Sequence, residues 1–115
     1  MRVEQLEARG EQKERLALHC DSRMHVGSLR VRLLVRESRS LKDKRQVVRS
    51  IKDRLRNEFN VSIAEVEELD HRQLIVLGMA MVSNEAGHIR SVFDAIVKAL
   101  RAHPKAEFLD HQVEI

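Results

Sequence analysis

The sequence predicts an α+β fold in the order β-α-β-β-α-β, with two helices on one face of a four-stranded antiparallel sheet. Three observations carry this expectation. Four segments show the alternating or unbroken apolar pattern of strands, and two show apolar residues recurring at helical spacing. Each helical segment lies between two strand segments, and a short turn around Asp70-His71 separates the two middle strands. Two strand-helix-strand crossovers related by such a hairpin give the split arrangement known as ferredoxin-like.

At 115 residues the chain has the length of one domain. Residues 1–24 read as an N-terminal extension. They hold five basic and five acidic residues, and their few apolar residues (Val3, Leu6, Leu16, Leu18) are interrupted by Gly10. That composition predicts a frayed helix or mobile arm that adds little to a core. Residues 25–115 make the domain.

His25 to Val35 alternates, with Leu29, Val31, Leu33 and Val35 on one face and Ser28, Arg30, Arg32 and Leu34 on the other. Ser40 then suits an N-cap with Asp43 three residues on, as in a capping box, and Ser38 is a second candidate. The helix runs from Leu41 to about Asn57. At about 100° per residue, Leu41, Val48, Ile51 and Leu55 form its apolar stripe, and Arg45, Arg49, Lys52 and Arg56 line one flank with Lys42 near it. Lys44 projects onto the apolar stripe. It either snorkels past the end of the sheet or grips an anion.

Phe59 to Leu69 is strand-like with a bulge or register change, since Val61 and Ile63 define one face and Ala64 and Val66 the other. Leu74 to Val82 is apolar on both faces and reads as a central strand, in which Gly78 admits close approach of another backbone. Ser83 and Asn84 cap a second helix, Glu85 to Ala102, with a stripe at Ile89, Val92, Phe93, Ile96 and Leu100. Pro104 stops it. Ala106 to Ile115 alternates through Leu109, Val113 and Ile115, with Phe108 on the other face.

Several of these stretches together resemble the YlxP-like family of small bacterial proteins. They are Val26-Gly27, the run Ser38-Arg39-Ser40-Leu41-Lys42-Asp43-Lys44-Arg45, Asn60 to Val66, Leu77-Gly78, Val82-Ser83-Asn84 and Leu109-Asp110. The similarity covers about Met24 to Ile115. It implies a ferredoxin-like fold and no established activity. Family members are often encoded beside transcription and translation factors and are sometimes labelled probable ribosome-binding factors, which is association rather than mechanism. The arm before Met24 departs from the family's usual start.

Charge supplies the functional expectation. The net charge is +3, but Arg36 to Arg56 holds nine basic residues against three acidic ones, so that segment carries +6 and the remainder −3. Like charges along one helix flank repel by a few tenths of a kcal/mol per neighbour. A nucleic-acid backbone converts that cost into counterion release. Arg39, Lys42, Lys44, Arg45, Arg49, Lys52 and Arg56 are therefore the expected nucleic-acid contacts, and structured RNA, ribosomal RNA included, is the expected partner. With no Trp, no Tyr and three Phe, base stacking on the sheet is not expected.

The other chemistries find little support. Six histidines lack metal-ligand spacing, no GxxxxGK[ST] loop is present, and no nucleophile is placed beside a base. A nonenzymatic protein without cofactor is expected. The single cysteine, Cys20, and the lack of a signal-like or membrane-spanning apolar run suit the cytoplasm. The other expectation is a dimeric ligand-sensing or protein-interaction module acting through the open sheet face, with Leu34, Met79 and Met81 at a homodimer interface.

Overall fold

The computed structural model describes residues 23–115. The expected N-terminal arm lies outside the described residues, save Arg23 and Met24. The elements are β1 (His25–Leu34), α1 (Leu41–Glu58), β2 (Ser62–Glu67), β3 (Leu74–Ser83), α2 (Ala86–Arg101) and β4 (Glu107–Glu114). The strands form one sheet in the order β2-β3-β1-β4, with every neighbouring pair antiparallel. This is the ferredoxin-like arrangement. Among the described residues, no helix is long and apolar enough to cross a membrane.

The period-two pattern of β1 sets the two faces of the sheet. Leu29, Val31 and Leu33 point to the helices and are buried, while Arg30 and Arg32 point to the open face. Residues directly opposite on antiparallel strands share a face. Leu29 pairs with Met79, Val31 with Leu77 and Leu33 with Ile75, so these β3 residues also face the helices. There they meet Val48, Ile51 and Leu55 of α1 and Ile89, Phe93, Ile96 and Leu100 of α2 in one core.

That register corrects one expectation. Met79 and Met81 are 3% and 9% exposed and belong to the core, so they are not available to a dimer interface on the open face. The residues of β3 that do face that side are Val76, Gly78, Ala80 and Val82, opposite Arg32, Arg30, Ser28 and Val26. Leu34 lies on the open face as expected and is half-buried.

Local details differ where tertiary geometry decides. The expected register change in β2 occurs between Glu65 and Glu67, leaving Val66 as the extra residue. Its side chain, rather than another backbone, is what approaches Gly78: a β-carbon there would lie 2.9 Å from Val66 Cγ1. In β4 the register shifts opposite Arg32 and Leu33, so Phe108 (opposite Leu33) and Val113 (opposite Leu29) both take the helix side. The N-cap of α2 is Glu85, without a side-chain cap bond. Ser83 Oγ instead accepts from the Glu85 amide at 3.1 Å, tightening the turn before the helix.

Candidate nucleic-acid interface

The start of α1 is built as the sequence suggested. Ser40 is the N-cap in extended geometry, and its Oγ accepts from the Asp43 amide at 3.1 Å. The Asp43 carboxylate reaches back one residue further than in a standard capping box and accepts from the Arg39 amide at 3.1 Å. Ser38 is no second cap. Its buried hydroxyl lies 2.7 Å from the Arg72 carbonyl and 3.0 Å from that of Ser40, stapling this loop to the one between β2 and β3. The Gln73 amide group adds bonds to the carbonyls of Arg36 and Ser38, and His71 Nδ1 accepts from the amides of Gln73 and Leu74. The helix therefore enters at a fixed position.

Arg45, Arg49 and Arg56 are exposed along one flank of α1, with Lys52 half-buried among them. Arg56 Nη2 donates to the Ile63 carbonyl at 3.2 Å, which ties the C-terminal end of the flank to the edge strand β2. Arg39 and Lys42 are exposed at the other end. Among the described residues, none of these six side chains forms an ion pair. The arginines of β1 and the turn after it behave differently: Arg30 pairs with Glu67 at 3.2 Å, Arg32 with Asp110, and Arg36 with Glu107 at 2.6 Å. The Arg32 hydrogen bond holds the Asp110 carboxyl below its ordinary range, with Coulomb attraction adding to it against desolvation. Arg54, on the outer side of α1, pairs with Glu58 at 3.1 Å.

Lys44 is a correction. It is fully buried, and its ammonium lies 2.8 Å from Glu65 Oε2. It also donates to the carbonyls of Glu68 (2.9 Å), Leu69 (3.3 Å) and Leu74 (3.3 Å). Among the described residues, Glu65 Oε2 receives no other partner. A buried ammonium is tolerated only when paired and hydrogen-bonded, and here both conditions are met inside the protein. Lys44 has no donor left for an outside anion. It fastens α1 to the turn after β2, where Glu68 adopts a left-handed conformation (φ 58°).

The described residues contain no cluster of three or more His, Cys, Asp and Glu side chains placed to hold a metal. A concavity on the open face, of about 340 Å³, lies over Gly78 and Ala80 between Arg30 and Val66. A second, of about 550 Å³, opens beside Arg39, His71 and Arg72 at the start of α1. Ser38, Asp70 and His71 line the second, where the Ser38 hydroxyl is held by the carbonyls of Ser40 and Arg72 and His71 Nδ1 accepts from the amides of Gln73 and Leu74.

A family model described as "Protein of unknown function (DUF503)" matches residues 26–113. The chain belongs to that family. It is similar to the "Uncharacterized protein YlxP" of Bacillus subtilis (strain 168), with 29% identity over 82 residues that cover 71% of this chain and 89% of the relative. The YlxP-like resemblance and the ferredoxin-like fold expected with it are thus borne out. Membership of DUF503 brings no reaction with it, and the cationic flank of α1 remains the feature to interpret.

Proposed function

We propose that this protein is a nonenzymatic cytoplasmic binding factor that docks on structured RNA, ribosomal RNA being the leading candidate, through the exposed flank of α1. The observation that carries the reading is the separation of paired from unpaired cations. Arg30, Arg32 and Arg36 pair with carboxylates of β2 and β4, whereas among the described residues Arg45, Arg49, Lys52 and Arg56 run about 16 Å along one helix flank without an ion pair. Unpaired cations in a row favour a polyanion whose charges also come in a row. Arg39 and Lys42 extend the contact to the start of the helix.

The placement of the phenylalanines favours recognition by shape and backbone. Phe93 is buried in the core, and Phe59 and Phe108 are half-buried against it, so none offers a face to a base on the open side of the sheet. Cosedimentation with ribosomes or purified ribosomal RNA tests the reading. Arg45→Glu with Arg49→Glu abolishes association while the far-UV circular dichroism stays native. Unchanged association in that double variant would remove the helix flank from the account.

One observation favours a second reading, an interaction module acting through the open sheet face. Val26 and Val82, paired across β1 and β3, are 57% and 63% exposed there. A dimer made through them is disrupted by Val82→Lys, and a monomer at high micromolar concentration would count against it.

A further inference from the structure

The two edges of the sheet are unlike. The β2 edge is short, bulged at Val66, and occupied at the Ile63 carbonyl by the Arg56 guanidinium. Such features block the addition of another strand. β4, at the opposite edge, has none of the lysines or prolines that guard edges, and past its bulge it pairs regularly with β1 from Asp110 to Glu114. Among the described residues no strand pairs with its outer side, whose backbone groups are a template about five residues long.

The side chains along this edge specify what it could accept. On the open side of the sheet lie Glu107, Asp110, Gln112 and Glu114; on the helix side lie His111 and Val113, with Val113 and Ile115 each about two-fifths exposed. Glu107 and Asp110 already bind Arg36, just past the end of β1, and Arg32 of β1. A carboxylate can accept a second cation on its other lone pairs, and these carboxylates remain about half exposed. Glu114 forms no ion pair among the described residues. A second copy of the chain fits poorly, because the antiparallel register of greatest overlap, centred on Gln112, sets Asp110 against Glu114 of the other molecule.

We propose that β4 is a docking edge for an extended segment of another protein in which basic and apolar residues alternate. The segment adds as a fifth strand. Its backbone pairs with β4, its cations meet Asp110 and Glu114 on the open side, and its apolar side chains pack beside Val113 and Ile115 on the helix side. Main-chain pairing supplies affinity and the alternation supplies selectivity. This edge is at the far side of the sheet from β2 and α1, so the inference stands or falls independently of RNA binding.

The test titrates the isotopically labelled full chain with a six-residue peptide alternating lysine and valine. Two controls accompany it: a block peptide of the same composition, and a peptide alternating glutamate and valine. The expected result is shift changes and slowed amide exchange confined to Asp110–Glu114, with both controls at least tenfold weaker. Glu114→Lys weakens binding at least fivefold without altering the β1–β3 amides. Equal binding of the block peptide would overturn the proposal, as would shifts located on α1 or around Gly78. Self-association through β4 in place of peptide binding would also overturn it, by assigning the edge to a second copy.

Discussion

Replacing Lys44 with methionine keeps the apolar stem that lies in the stripe of α1 and removes only the ammonium. The loss strands the Glu65 carboxylate, which is 13% exposed and has this ammonium as its partner, and takes a donor from the carbonyls of Glu68, Leu69 and Leu74, of which that of Glu68 keeps the His71 amide. Breaking one side of a buried ion pair costs about 3–5 kcal/mol. For a domain with a typical stability of roughly 5–15 kcal/mol, that is a large fraction. At about 4–8 °C per kcal/mol for a domain of this size, the melting temperature falls by at least ~12 °C. The chain has no Trp or Tyr, so urea unfolding is followed by far-UV circular dichroism rather than fluorescence. Adding Glu65→Leu removes the stranded charge and restores about 1.5–2 kcal/mol, the rest being held back by the carbonyls that have lost a donor. A loss below about 1 kcal/mol in Lys44→Met, or a double variant less stable than the single one, would refute the buried-pair account. The same single variant, assayed while folded, binds RNA as the wild type does.

Further outcomes concern packing and pH. A β-carbon at Gly27 would sit 2.4 Å from Ile89 Cγ2 and 3.0 Å from Phe93 Cε2, so Gly27→Ala forces α2 away from β1 and costs about 1–3 kcal/mol. At Gly87, in the first turn of α2, nothing lies within 4 Å, and Gly87→Ala gains about 0.4–1 kcal/mol; denaturant midpoints check both. The His103 imidazole titrates below its ordinary range, first because burial disfavours its charged form and then because Arg54 and Lys105 repel it. The unfolded chain therefore binds this proton more readily than the folded one. The contribution is full above the unfolded value near 6.5 and is lost as pH falls from there through the lower folded value. Melting temperatures compared between pH 7.5 and 5 fall more steeply in the wild type than in His103→Gln, and parallel curves would contradict this.

The fold was legible because β1 alternates cleanly and both helices carry a single apolar stripe, so element type and order followed from period alone. Leu74–Val82 shows where period stops informing. Apolar on both faces, it offered no period to choose the side turned to the helices, and the expectation of Met79 and Met81 on the open face fell when pairing with β1 placed Leu77, Met79 and Met81 in the core. Lys44 marks a second boundary. Its projection onto the apolar stripe was visible, but its partners are Glu65 and the carbonyls of Glu68, Leu69 and Leu74, brought near only by the fold. The neutralised arginines are similar: Arg32 and Asp110 are 78 positions apart and meet only because β1 and β4 are neighbours. The flank of Arg45, Arg49, Lys52 and Arg56 was readable because helical geometry alone fixes it. The open β4 edge was not, since an edge is defined by the strands that are missing beside it.

The most direct measurement of the central claim is the salt dependence of binding to a structured ribosomal RNA fragment. With the four flank cations and those of Arg39 and Lys42 on phosphates, the slope of log K against log salt is about −5 for duplex-like RNA. Arg45→Gln with Arg49→Gln makes it shallower by about two units. Binding with little salt dependence, or a slope unchanged in the double variant, would contradict the claim that this flank meets the RNA backbone.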